Sequence, residues 1–258
     1  MIDTNKLKKI KESNKTHHIY IEGEYLYMIR YGDYKNEIEK TQRLQEKGVN
    51  FAGPINQIKI DGNQVVVEEY LAKGTSFEKM KDEYKFHSSL DFAKTLEEYE
   101  LFFSTYLEEI RLRAEANQKM YDKLFNDIIE MNKENLTVDT RSLGNLFFDK
   151  TEGFSIIDAY PGNNIPDIKQ LFRMIIGNIP SLICIDNNQE ISNGVPQKYF
   201  DNFLTYISMI KNKFIMAMQR TKVNIDYNNL QVNINVVTDD IINKLIEMEK
   251  ESGIRVHI

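Results

Sequence analysis

One cysteine, five prolines, twelve glycines and four histidines are spread over 258 residues, and each shortage excludes something. The single Cys184 allows neither an internal disulfide framework nor a multi-cysteine metal site. Its setting, "IPSLICIDN", is apolar, so the thiol reads as buried and inert rather than nucleophilic. His17 and His18 are adjacent and would point to opposite faces of a strand, and His87 and His257 stand alone, so no histidine pair for a metal emerges. No Ser/His/Asp nucleophile arrangement stands out either. No apolar run approaches the length of about 20 residues that a membrane helix needs, and "MIDTNKLKKIKES" lacks the apolar core of a signal peptide. A cytoplasmic protein is expected, with export by a signal-less route left open. Positive charge is also short. A net charge of −6 and a pI near 5.4 give no general attraction to nucleic acid or anionic lipid.

What is present has the composition of a soluble globular chain, 41% hydrophobic and 28% charged, with no internal repeat or low-complexity segment. The first third reads as short strands. "HHIYIEG" and "EYLYMIRYG" flank a compact turn at Gly23-Glu24. "DYKNEIEKTQRLQEKG" reads as a helix, with Asp33 as N-cap and Gly48 as stop. "PINQIKIDGNQVVVEEYL" gives two strands around Asp61-Gly62, a strong hairpin signal.

From about residue 78 long helices take over. Phe92, Leu96, Phe103, Leu107 and Ile110 fall at helical spacing, and "ANQKMYDKLFNDIIEMNK" continues the pattern. Further helices are expected in "IPDIKQLFRMII" and "QKYFDNFLTYISMIKNKFIMAMQ". A last one, "DDIINKLIEMEKE", follows Thr238 as N-cap. The apolar stripes read as core. The class is therefore α+β, a small β-rich part followed by a larger helical one.

One stretch interrupts the helices. In "GNLFFDKTEGFSIIDAYPG" Asn145 precedes one hydrophobic run and Asp158 ends the next, with a polar turn at 150–153 between them. The turn returns the chain, so the amide and the carboxylate reach the same end of a hairpin. Two hard oxygen donors there would suit Mg²⁺, which takes few protein ligands and completes its shell with phosphate and water. Alone, the pair reads as two polar caps at strand ends.

The pattern resembles the catalytic segment of the protein kinase-like superfamily, where an Asn, a short strand, a turn, a second strand and a metal-binding Asp follow a catalytic Asp. "IIDAY" departs from Asp-Phe-Gly and is nearer the motif of aminoglycoside phosphotransferases and choline kinases. The likeness runs over roughly residues 13–168 as weak motifs in the right order. It implies a two-lobed fold, with an N-terminal β-rich lobe at 1–74, a C-terminal helical lobe at 75–258, and ATP between them.

By the same resemblance Asn145 and Asp158 hold Mg²⁺ on the bound ATP. Arg30 takes the place of the phosphate-binding Lys, with Lys35 as a second candidate, and Glu37 is its helix partner. Glu69, Tyr70 and Leu71 lie against the adenine. Three departures accompany this. Thr140 stands where the catalytic Asp falls, so Asp139 positions the acceptor hydroxyl after a rearrangement of the loop. Arg30 is a planar fork and not a compact ammonium. "KESNKTHHIY" has no glycine, leaving Ser13 to Thr16 to cover the phosphates.

"AYPGNNIPD" is too short for an activation segment, which points to a small-molecule or atypical bacterial kinase. Asp167 is either the acid that brace the catalytic loop in this superfamily or an ordinary helix-start acid. The leading expectation is Mg-ATP-dependent phosphotransfer to an unidentified small-molecule or protein acceptor. The alternative is a pseudokinase that binds or scaffolds without turnover, and a third is an α+β interaction protein whose likeness is accidental.

Overall fold

In the computed structural model of the chain, residues 19–83, 96–177 and 197–221 are described, together with positions 235, 239 and 243. Ser13 to Thr16, His17, His18, His87, Phe92, Cys184, Thr238 and His257 lie outside them. The expected last helix is described at positions 239 and 243, both helical.

Turn chemistry sets the first sheet. Gly23, at φ +62°, lets strand β1 (Ile19–Glu22) fold back on β2 (Tyr25–Tyr31). Helix α1 (Lys35–Glu46) follows and stops at Gly48, where the Gly48 N–H donates to Gln45 O (2.8 Å) and the Val49 N–H to Leu44 O (2.9 Å). The cap differs from expectation. Tyr34 occupies it without a side-chain bond. Asp33 sits one residue earlier and accepts from the Lys35 N–H (3.2 Å) and Gln57 Nε2 (2.6 Å).

Strands β3 (Pro54–Asp61) and β4 (Gln64–Tyr70) turn at Gly62 and complete an antiparallel sheet of order β1-β2-β4-β3. Its register pairs Leu26 with Glu69, Met28 with Val67 and Arg30 with Val65. By strand alternation these six share one face. Tyr27 and Val66 turn to the other face, in a small cluster with Tyr20, Tyr25, Ile29, Ile58 and Ile60.

Helices α2 (Phe77–Glu83), α3 (Leu96–Glu115), α4 (Gln118–Lys133), α5 (Ile168–Ile176) and α6 (Gln197–Arg220) enclose the main core. The stripe read as one continuing pattern is broken after α3. Asn117 caps α4 by accepting from the Met120 N–H, and this side-chain bond starts a new helix. Ile110, Tyr121, Phe125, Phe172 and Phe214 are buried, with Phe125 and Phe214 packed edge to face at 5.0 Å. Among the described residues no helix is long and apolar enough to cross a membrane.

Two short antiparallel pairs lie beside these helices. Strands β6 (Leu146–Asp149) and β7 (Gly153–Ile156) form the expected hairpin; β5 (Leu136–Val138) pairs with β8 (Ala159–Pro161), which the sequence reading did not include. The hairpin is stitched on both sides to the chain around the four-stranded sheet. Ala52 donates to Ile156 O (2.8 Å), and Thr75 and Phe148 exchange two bonds of 3.0 Å.

Gly74 makes the second contact possible. At φ +88°, its Cβ would stand 2.0 Å from the Phe148 carbonyl oxygen. Arg113 reinforces the junction from α3. Its buried guanidinium pairs with Glu109 (2.7 Å), donates to Thr75 O (2.9 Å) and lies 4.3 Å from the Phe77 ring centroid.

Candidate functional site

The hairpin's open end carries the residues singled out in the sequence. A 3-10 turn (Leu143–Asn145) delivers Asn145 to the start of β6, and the Asn145 carbonyl accepts from the Ile157 N–H (3.1 Å). The Asn145 side chain donates through Nδ2 to Asp139 O (2.9 Å). The Asp139 N–H in turn donates to Asp158 O (3.2 Å). Residue 139 is thus tied through its main chain to both ends of the hairpin. Because the Asn145 amide nitrogen is committed, its carbonyl Oδ1 is the group it can offer a ligand.

Charge accumulates here. Asp158 is exposed at the surface, yet its carboxyl is held above the usual range, first by partial desolvation and then by the negative Asp139. The Ala159 N–H, Arg30 and Arg141 pull the other way. Glu69, at the end of β4, is pushed up to about 7 by burial; Arg30 lowers it and Asp158 raises it. Arg30, Glu69 and Asp158 therefore sense one another across the sheet and the hairpin.

Asp139 does not stand as expected. Its carboxylate is gripped by Arg141, with Nε to Oδ1 at 2.8 Å and Nη2 to Oδ2 at 2.6 Å, and Oδ1 also accepts from the Arg141 N–H (3.0 Å). This bidentate pairing, first among the causes, holds the Asp139 carboxyl below the usual range. Asp139 is nearly buried, while the Arg141 side chain is 82% exposed. A carboxylate so held has most of its acceptor capacity taken by Arg141.

Arg30 and Glu37 do not pair. Arg30 is exposed, its Nη2 rests 3.2 Å from Met28 Sδ, and its charge acts on Glu69 and Asp158. Glu37 keeps Oε2 buried with no hydrogen-bond partner. Lys35 begins α1, well exposed, and lies 3.8 Å from Asp33.

Tyr70 and Leu71 are set apart too. Tyr70 packs on Tyr25 at 5.3 Å, and the Leu71 N–H donates to Glu24 O (2.8 Å). Both line a groove of about 410 Å³ with residues 50–52, Lys73, Glu152 and Ser155. None of Arg30, Glu69, Asp139, Asn145 and Asp158 reaches that groove. Asp167 caps α5, accepting from the Lys169 N–H (2.9 Å) and Gln170 N–H (3.2 Å), so its place is the helix start.

Sequence reasoning missed Arg141, Ser142 and Glu78. Glu78 accepts from Ser142 Oγ and from the Gly144 N–H (3.0 Å). No local pattern announces a bond between positions 78 and 144. Arg141, two residues beyond Asp139, was open to inspection.

Among the described residues no group of three or more His, Cys, Asp and Glu is arranged to hold a metal. The donor set at the hairpin end is smaller, the Asn145 Oδ1 and the Asp158 carboxylate. Two hard oxygens fit Mg²⁺ shared with phosphate and water. The Asp158 carboxyl is held above the usual range chiefly by desolvation and secondarily by the negative Asp139.

No family model matches this chain, and no curated protein matches it. Among solved structures it is weakly similar to a Helicobacter pylori proinflammatory kinase, CtkA. The match has 12% identity and a TM-score of 0.28, over 91% of this chain and 93% of that one. A likeness at that level carries no weight for the site.

Proposed function

We propose that the chain is a Mg-ATP-dependent phosphotransferase of the protein kinase-like type, with an N-terminal lobe at 1–74 and a C-terminal lobe at 75–258. The observation that carries this reading is the tie of the Asn145 side chain and the Asp158 main chain to Asp139. It supports one mouth at which an amide oxygen, a carboxylate and a second carboxylate converge. Asn145 Oδ1 and the Asp158 carboxylate would hold the magnesium. When bound, the ion neutralises charge on the phosphates of ATP.

The chain's own groups do the rest. Arg30, exposed on the sheet face shared with Glu69, is the cation available to phosphate oxygens. Asp139 orients the acceptor hydroxyl once Arg141 releases it, and Arg141 is exposed enough to swing away without losing burial.

The test is thermal unfolding with ATP, in Mg²⁺ and in EDTA. At a hundred times its dissociation constant the nucleotide should stabilise the chain by about 2.7 kcal/mol. Asp158→Asn and Asn145→Ala should remove the part that needs Mg²⁺. A melting temperature that ignores MgATP refutes the proposal.

The grip of Arg141 on Asp139 favours a second reading, a pseudokinase that binds nucleotide without turnover. ATP consumption by wild type and Asp139→Asn, over small hydroxyl compounds and generic proteins, separates the two. An enzyme loses turnover in the variant; a pseudokinase gives equal background in both.

A further inference from the structure

Glu78 touches none of the groups assigned to nucleotide or metal, yet it holds the turn that aims one of them. It lies in the first turn of α2, whose start is fixed by Ser76 Oγ accepting the Lys79 N–H (3.1 Å) and by the Thr75–Phe148 bridge. Its Oε2 accepts two hydrogen bonds, from Ser142 Oγ and from the Gly144 N–H. Ser142 Oγ caps the same 3-10 turn by also accepting the Gly144 N–H (3.0 Å). One carboxylate oxygen and one hydroxyl thus share a single amide hydrogen. The next residue is Asn145. A Cβ at Gly144 would stand 3.1 Å from Glu78 Oε2, so the turn and the carboxylate are closely fitted.

We propose that Glu78 is a positioning residue that locks residues 142–145 and thereby aims the Asn145 amide oxygen at the metal. This rests on the metal reading of Asn145 and Asp158. The physical reason is local. A three-residue 3-10 turn has few internal bonds and poor hydrogen-bond geometry, so its orientation depends on outside partners. Ile157 and Asp139 hold the Asn145 end, and Glu78 holds Ser142 and Gly144 from a helix that follows β4 and its connection. The segment beyond Glu69 is therefore coupled mechanically to the metal-holding amide.

Two readouts test it. First, amide hydrogen exchange at Gly144, without nucleotide or metal, should be markedly faster in Glu78→Ala than in wild type. Second, a fluorescent ATP analogue is titrated in EDTA and at rising Mg²⁺. Glu78→Ala should bind as wild type in EDTA, while needing about tenfold more Mg²⁺ for its half-maximal effect, the scale seen when a group supporting a metal's ligand is removed. Glu78→Gln keeps an acceptor oxygen and should restore both readouts. Ser142→Ala, which leaves the carboxylate on Gly144, should shift both in the same direction by less, and serves if Glu78→Ala fails to fold.

Unchanged Gly144 exchange in Glu78→Ala overturns the proposal. So does an unmoved Mg²⁺ midpoint in Glu78→Ala alongside a raised one in Asn145→Ala, or a Glu78→Gln that behaves as Glu78→Ala. If Asn145→Ala and Asp158→Asn also leave the Mg²⁺ midpoint at the wild-type value, the metal reading has failed, and the positioning role fails with it even where Gly144 exchange accelerates.

Discussion

Glu69→Gln should abolish a pH dependence of stability that the wild-type chain carries just below neutrality. The Glu69 carboxyl has an ordinary value of 4.5 and is pushed up to about 7, chiefly by burial at the end of β4. Because the folded value exceeds the unfolded one, the folded chain holds the extra proton between them. Stability is then fully present below 4.5 and is lost as pH rises through about 7.

The gap, at about 1.4 kcal/mol per pH unit, amounts to about 3 kcal/mol in all. The part falling between pH 5 and pH 8 is about 2 to 3 kcal/mol. The assay is urea unfolding of wild type and Glu69→Gln at both pH values. Subtracting the variant cancels the titrating groups that do not act on Glu69; Asp158, which does, stays coupled to it. The wild-type advantage over the variant should shrink by that amount at the higher pH. A difference that stays flat to within about 0.5 kcal/mol would show that burial does not hold the proton on Glu69, and would refute the reasoning. Arg30→Ala should move the wild-type midpoint upward, since the Arg30 charge lowers it.

Gly74→Ala should destabilise by at least about 2 kcal/mol, from the left-handed backbone and the clash with Phe148 O together, read from the urea midpoint. Arg113→Ala should cost about 3–5 kcal/mol by leaving Glu109 without its partner, whereas Arg113→Met with Glu109→Gln should cost clearly less; chemical denaturation of the set decides. Arg141→Ala should raise the Asp139 carboxyl toward its ordinary range, seen by NMR titration of side-chain carboxyl carbons, while stability changes by under about 1 kcal/mol because the Arg141 side chain is so exposed.

Several elements were legible from residue order because local chemistry alone sets them. Gly23 and Gly62 take positive φ where their hairpins turn, Gly48 ends α1, and Gly153 closes the β6–β7 turn, so three hairpins and a helix stop follow from turn residues between apolar runs. The apolar spacing in 118–133 and 168–176 likewise determined buried helix faces at Tyr121, Phe125, Phe172 and Ile175. That the main chain brings positions 145 and 158 to one end of the β6–β7 hairpin was legible for the same reason, since a tight turn must bring its two ends together.

What joins distant segments was decided by the tertiary structure alone. Strand alternation puts Arg30 on a face but does not say what stands opposite; the fold lets its charge act on Glu69 and Asp158 and leaves Glu37 Oε2 without a hydrogen-bond partner. Pairing of β5 with β8 depends on three-residue strands too short to show a period. Glu78 reaches Gly144 because α2 packs beside the 3-10 turn, and Tyr70 and Leu71 line another groove together with Glu24 and residues 50–52. Sequence periodicity fixes which way a side chain faces along its own element. The partner it finds there depends on how the elements are packed.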